Sequence, residues 1–178
     1  MTNDPGPLAV RPATSTDLPD LLSIYNDAIL TTTAVFSYQP HTMAMRQEWF
    51  AAKRDAGHPV LVAEHDGKVL GFAALGPFRV WPAYKYSLEN SVYVAADARG
   101  QGVGGLLLDR LLRAARQLDV HTVIASVEAT NTASLRLHTS HGFTEVARFR
   151  EVGYKFGRWL DLVFLQVLFD SPKSPIEG

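Results

Sequence analysis

The chain has 178 residues, 47% apolar and 20% charged, the length and balance of one soluble globular domain whose core needs no metal or disulfide staple. Seventeen Lys and Arg (17) against 18 Asp and Glu leave a net charge of −1, which is not the basic footprint of a nucleic-acid binder. There are no cysteines, so disulfides, thiol nucleophiles, Cys-ligated zinc and iron–sulfur clusters are excluded and a reducing, cytoplasmic setting is expected.

Residues 1–7 read as a loose leader and 170–178 as a loose tail, both rich in Pro, Gly and small polar residues. The leader has neither the basic nor the apolar region of a signal peptide. No run approaches the about 18 uninterrupted apolar residues of a membrane span, so no membrane partner is expected. Nothing between the two ends marks a linker or a repeat, so residues 8–169 read as one domain.

Leu8–Arg11 is a short strand. Thr14-Ser-Thr-Asp17 offers N-caps for a helix in which Leu18, Leu21, Leu22, Tyr25, Ala28 and Ile29 share a face. Thr31–Phe36 is β-branched and is expected to be extended or looped. Thr42–Arg54 reads as a second helix with Met45, Trp49 and Ala52 inward. Val60–Ala63 and Val69–Leu75 flank Asp66-Gly67, a strong hairpin signal. Residues 76–87 form a loop carrying Phe78, Trp81, Tyr84 and Tyr86, which either lines a site or packs on its own sheet.

Leu88–Val94 is a strand. Its alternation sets Glu89, Ser91 and Tyr93 on one side and Leu88, Val92 and Val94 toward the other. Arg99-Gly-Gln-Gly-Val-Gly-Gly105 opens a helix with Leu106, Leu107, Asp109–Leu112, Ala115 and Leu118. His121–Val127 is a strand, and Ala133–His141 a short helix closed by Gly142. Phe143–Val152 and Trp159–Phe169 form a last pair of strands joined by Gly153–Gly157. The order β-α-α-β-β-β-α-β-α-β-β predicts a mixed α/β sheet with helices packed on it.

Gly100-x-Gly102-x-x-Gly105 spells the dinucleotide fingerprint, with Glu128 near the place of its ribose-binding acid. Only about 75 residues follow, too few for the further βα units that fold requires. The physics of the turn is still phosphate binding. Its glycines let backbone N–H groups point into one concavity at a helix N-terminus, where the dipole favours an anion, and Arg99 adds charge. A tight turn with no ligand is the alternative, at a cost in conformational entropy.

Arg99-x-x-Gly102-x-Gly104, after a strand ending Val92-Tyr93-Val94, resembles the pyrophosphate-binding signature of the GNAT acetyltransferases. Asn131-x-x-Ser134-x-x-Leu137-His138-x-x-His141-Gly142-Phe143 is similar to the second acetyl-CoA segment of that superfamily. Tyr25-Asn26-Asp-Ala28, Glu89-x-Ser91-Val-Tyr-Val94 and Gly153-Tyr-Lys-Phe-Gly157-Arg-Trp-Leu-Asp-Leu162 are similar to its phosphinothricin and methionine sulfoximine N-acetyltransferase branch. The resemblance spans residues 8–169 and is more specific than the glycine motif. It implies the GNAT fold, an α/β (α+β) single domain with a mixed, mostly antiparallel central sheet flanked by helices. It implies acetyl-CoA as co-substrate, held by Val92, Tyr93, Val94, Arg99, Gly100, Gln101, Gly102, Val103, Gly104, Gly105, Asn131 and Ser134. The basic, aromatic turn Lys155–Trp159 reads most plainly as a hairpin tip over the core; the resemblance implies instead a homodimer whose partner contributes near the acceptor site.

Acetyl transfer to an amine needs a deprotonated amine, a polarised thioester carbonyl, and the two held in line. Glu89, a carboxylate on a strand of apolar and small residues, is the candidate base, acting directly or through water; a salt-bridged edge residue is the plainer reading. By resemblance, the backbone N–H of Val94 or its neighbour stabilises the oxyanion where the strand of Val92–Val94 splays from that of Ala125–Val127. His138 stands where many members carry a Tyr that protonates the leaving thiolate; a CoA contact or packing is the alternative. His138 and His141 have no third ligand nearby in sequence, so no metal is expected.

Arg79, with Phe78, Trp81, Tyr84 and Tyr86, is the expected acceptor pocket, its guanidinium reading a carboxylate or phosphinate. Asn26, Thr33 and Phe36 are expected on the same cleft. The expected activity is acetyl-CoA-dependent acetylation of the free amine of a small amino-acid-like acceptor, of phosphinothricin or methionine sulfoximine type, by direct attack in a ternary complex. The alternatives are another amine (an antibiotic, a polyamine, a protein N-terminus) or a CoA-binding regulatory module without turnover.

Overall fold

The computed structural model describes residues 8–177, so the leader read at residues 1–7 lies outside the described residues. The elements run β1 (Ala9–Pro12), α1 (Leu18–Thr31), α2 (Met43–Asp55), β2 (Val60–His65), β3 (Lys68–Pro77), β4 (Ser87–Val94), α3 (Val103–Gln117), β5 (Thr122–Glu128), α4 (Thr132–Thr139), β6 (Thr144–Lys155) and β7 (Arg158–Leu168). That is the order predicted from the hydrophobic periodicity. Seven strands join in one sheet, β1-β2-β3-β4-β5-β7-β6. Every pair is antiparallel except β4 with β5.

Helices cover both faces of the central strands, so β3 is buried on both sides from Gly71 to Gly76 and reads as an almost continuous apolar run. On one face Leu61, Ala73, Leu75, Leu88 and Val123 pack against Leu107, Leu108, Leu111, Leu112 and Ala115 of α3. On the other, Val60, Val62, Phe72 and Ala74 meet Leu18, Leu21 and Ile24 of α1. Each Leu, Ile, Val or Phe side chain among them contributes about 1.5–3 kcal/mol when withdrawn from water. Asp66 and Gly67 both adopt positive φ, 49° and 76°, the type I′ geometry that matches the twist of the β2–β3 hairpin.

Three details differ from the periodicity. In α2, Met45 and Ala52 are exposed, and the inward side is Met43, Arg46, Trp49 and Phe50. The guanidinium of Arg46 lies 4.2 Å from the Tyr25 ring centroid and 4.6 Å from that of Trp49. Aromatic faces thus take a cation where an apolar residue was expected, and the helix is rotated accordingly. Leu118 is exposed because α3 ends at Gln117 and the chain turns away at Asp119, φ 57°. The supposed connection 153–157 is mostly strand: Gly153, Tyr154 and Lys155 pair with Leu160, Trp159 and Arg158, leaving Phe156-Gly157 as the turn.

The tail read as loose has fixed contacts. The Ser171 hydroxyl donates to the Val120 carbonyl at 2.7 Å, and the Ile176 N–H donates to the Tyr86 hydroxyl at 3.1 Å. No helix among the described residues is long and apolar enough to cross a membrane.

Candidate active site

The parallel pair β4–β5 holds for three positions, Ser87–Thr122, Leu88–Val123 and Glu89–Ile124. Beyond them the strands part, and a cleft of about 1060 Å³ opens between Asn90–Val94 and Ala125–Glu128. It is lined by the glycine turn, α4 and the segment after α1, and by Lys53 of α2 and Gly76-Pro77.

In the glycine turn, Gly100 and Gly102 have φ of 77° and 81°, a region that side chains with a Cβ avoid, and Gly102 is the N-cap of α3. The bond from Leu106 N–H to the Gly102 carbonyl, 3.1 Å, opens the helical ladder. The N–H groups of Val103, Gly104 and Gly105 precede it and form a donor set for an anion at the positive end of the helix dipole. Arg99 stands beside them, its Nη2 3.2 Å from Asp27 Oδ2 and its Nε donating to the Val94 carbonyl at 3.2 Å.

That last bond orients the strand edge. Ala95 N–H donates to Leu70 O of β3 at 2.8 Å, so the odd-numbered residues of β4 turn their backbone groups to β3. Val92 and Val94 turn theirs the other way, into the cleft, where no partner strand pairs with them. The Val94 N–H is therefore a preorganised donor facing the cleft, with room beside it for an extended chain bearing amides.

Across the cleft, the Asn131 carbonyl oxygen caps α4 by accepting from Ser134 N–H at 3.1 Å, which leaves its amide N–H groups for a ligand. His138 is buried. Its Nδ1 lies 2.8 Å from the Ser134 carbonyl oxygen, which only accepts, so the proton of the neutral ring sits there. Its Nε2, 3.0 Å from Asn90 Nδ2, then accepts from that amide. Burial holds the imidazole pKa down, so the doubly protonated form that could release a proton from Nε2 is disfavoured. Asn90 Oδ1 is left buried without a hydrogen-bond partner in the wall of the cleft. His141 bonds the carbonyls of Leu137 and Gly105 through its two nitrogens.

Glu89 lies in the cleft wall on the side of β4 predicted by alternation, and the Ser126 hydroxyl of β5 donates to its Oε1. It makes no salt bridge within 4.0 Å among the described residues. The register places Gly76 opposite it on β3. Lys53 Nζ occupies the space that a Cβ on Gly76 would take.

Two buried charged residues fix the segment that carries Thr33 and Phe36 into the cleft. Lys155 Nζ donates to the carbonyls of Ile29, Thr32 and Val35 at 2.6, 2.9 and 2.7 Å, closing the C-terminal end of α1. Glu128 accepts from the hydroxyls of Thr33 and Thr130 at 2.8 and 2.6 Å and from Thr130 N–H at 3.1 Å. Burial alone would raise the carboxyl pKa of Glu128; those hydrogen bonds outweigh it and hold the group ionised. With both oxygens engaged, Glu128 is an anchor for this segment and not a ribose ligand. The role of Lys155 was not visible in the sequence, where a basic residue in an aromatic hairpin reads as surface.

The expected acceptor residues separate. Thr33 and Phe36 line the cleft; Asn26, Phe78, Arg79, Trp81, Tyr84 and Tyr86 do not. The Asn26 side chain bonds both backbone groups of His41. Arg79 is exposed, its guanidinium 4.0 Å from the Phe78 ring centroid and donating to the Phe78 carbonyl. Trp81 is 64% exposed. Lys53, which the sequence reading did not single out, lines the cleft instead.

Residues 21–143 match the acetyltransferase (GNAT) family. The chain is 43% identical to the L-methionine sulfoximine/L-methionine sulfone acetyltransferase of Pseudomonas paraeruginosa over 167 residues, 93% of this chain and 97% of that one. It is 43% identical over 158 residues to the phosphinothricin N-acetyltransferase of Alcaligenes faecalis, covering 88% of this chain and 80% of that one. The fold superposes on the yncA acetyltransferase of Salmonella typhimurium, solved with its cofactor acetyl-CoA, with a TM-score of 0.94 and 39% identity over 97% of this chain and 100% of that one. On motif, topology and relatives together, the chain belongs to the GNAT acetyltransferase family.

Proposed function

We propose that this acetyltransferase acylates the α-amine of a small amino-acid-like acceptor of the methionine sulfoximine or phosphinothricin type, as its relatives' names describe for them. The observation that carries it is one continuous cleft lined by an anion-binding helix N-terminus and a carboxylate, Glu89. Acetyl-CoA supplies the acyl group as a thioester. The residues present fit it: the N–H groups of Val103–Gly105 with Arg99 suit a pyrophosphate, the open edge of β4 and the Asn131 amide suit a chain of amides, and Gln101, Ser134 and Tyr93 border them.

Glu89 takes the ammonium proton, so the nitrogen lone pair is free to attack. The Val94 N–H meets the carbonyl oxygen as it gains charge, and needs no reorganisation to do so. His138, neutral and bonded through both nitrogens, orients Asn90 and the wall behind the reacting sulfur. With no cysteine in the chain, no acetyl-cysteine forms and transfer is direct. The enzyme works in the cytoplasm, where its thioester substrate is made.

A second copy of the chain completes the molecule. β6 is an edge strand of 12 residues, and Val146, Phe149, Val152, Tyr154 and Trp159 lie exposed on the β6–β7 hairpin. Such a long apolar edge is what a partner covers.

The test is to mix the protein with acetyl-CoA and a panel of amines and follow release of free thiol. Turnover confined to amino-acid-like acceptors supports the proposal. Turnover only with polyamines or peptide N-termini moves the acceptor class, and tight CoA binding without thiol release on any amine makes the chain a regulatory module.

A further inference from the structure

Among the described residues, the cleft is lined by two Lys or Arg side chains, Arg99 beside the glycine turn and Lys53 of α2. Arg99 has its partners in Asp27 and the Val94 carbonyl. The Lys53 ammonium makes no hydrogen bond and no ion pair with any described residue; the centroid of the Trp49 ring is 5.9 Å away. It is brought to the cleft by α2 and lies against Gly76, the β3 residue opposite Glu89. Only a residue without a side chain at position 76 leaves Nζ that place. Burial opposes the charge of Lys53, and the negative charge of Glu89 supports it.

A half-buried ammonium without an acceptor lacks the hydrogen bonds that offset its desolvation. An α-amino acid carries its amine and its carboxylate on one carbon, so the groups that receive them must be neighbours. Glu89 and Lys53 are such a pair, with charges opposite to those of the ligand. We propose that Lys53 Nζ binds the acceptor carboxylate and thereby presents the α-amine to Glu89, which makes Lys53 the residue that selects amino acids over plain amines. The proposal rests on the acetyl-transfer reading above. It assigns to Lys53 the role that the sequence suggested for Arg79, whose guanidinium lies outside the cleft.

The experiment compares kcat/KM for L-methionine sulfoximine with that for its carboxamide, in the wild-type enzyme and in Lys53→Met, which keeps the length of the stem. The wild type should prefer the carboxylate. In Lys53→Met the ratio should fall roughly tenfold or more, the loss expected of one charge-assisted hydrogen bond, through the acceptor KM and with the acetyl-CoA KM unmoved. Gly76→Ala, whose Cβ would displace Nζ without removing the charge, should lower the same ratio. A smaller fall in both variants overturns the role of Lys53 while leaving acetyl transfer intact. Wild-type enzyme that acetylates neither compound nor phosphinothricin nor any other amino-acid-like acceptor overturns both.

Discussion

Glu89 is placed by two strands that stop pairing just beyond it, so its carboxylate meets the space where an amine and a thioester can approach. Its contacts are a hydroxyl and a cation held at a distance, an environment in which a carboxylate can take a proton without first breaking a salt bridge. Glu89→Gln keeps the shape and removes the proposed base. Turnover should fall about 10²–10⁴-fold, with acetyl-CoA affinity nearly unchanged, because the proposed nucleotide site is the glycine turn, away from Glu89. Steady-state kinetics and CoA titration check this, and undiminished turnover at neutral pH removes Glu89 from the role. His138 shows how hydrogen bonding decides what a residue type leaves open. The proton of its imidazole is bonded to the Ser134 carbonyl and the other nitrogen receives the Asn90 amide, which is the basis for proposing it as a support for the wall.

At the scale of elements, the cleft depends on the loops that brace it. Lys155 and Glu128 reach from the far half of the sheet to the end of α1, so the segment that bears Thr33 and Phe36 is anchored on β5 and β6. A second clasp lies at the start of the chain. Arg11 of β1 donates to Asp17 Oδ1 and Oδ2, both at 2.8 Å, and contacts Glu64 of β2 at 2.6 Å. The Arg11 guanidinium holds the Asp17 carboxyl down at about 2, helped by hydrogen bonds from Thr14. A carboxylate with a lowered folded-state pKa stabilises fully above its ordinary pKa, about 3.9, and the contribution fades as pH falls toward 2. Asp17→Asn should therefore cost about 1–2 kcal/mol at pH 7, discounted for the partial exposure of Arg11, and almost nothing near pH 2. Urea unfolding at both pH values measures it; equal stability at pH 7 would show the clasp to be idle.

At the scale of the whole molecule, β7 gives Val163 and Leu165 to the core, whereas β6 lies at the sheet edge with most of its residues exposed. Trp159 is 60% exposed, with the Tyr154 ring 5.1 Å from its own. A dimer that buries this surface should appear in light scattering at micromolar concentration. Trp159→Glu should shift the population to monomer with the circular dichroism spectrum retained. A wild-type monomer with full activity would refute the assembly.

Much of this protein is local, and so was legible in the sequence. The order of the elements follows from hydrophobic period and turn chemistry, and the glycine turn before α3 from glycines whose positive φ has a purely local cause. Glu89, Ser91 and Tyr93 share a side because strand alternation is a property of the backbone. What the tertiary structure alone decided is which charges go inside. Arg46, Lys53, Glu128 and Lys155 look in sequence like any solvated residues. Their placement depends on rings, carbonyls and hydroxyls that include some brought from as far as 126 positions away, and a short window of sequence around each residue lacks those distant partners. For the same reason Arg79 and its aromatic neighbours, contiguous with β4 in sequence, lie outside the cleft. The loop that carries them leaves the sheet before the strands divide, whereas α2 crosses to bring Lys53 in.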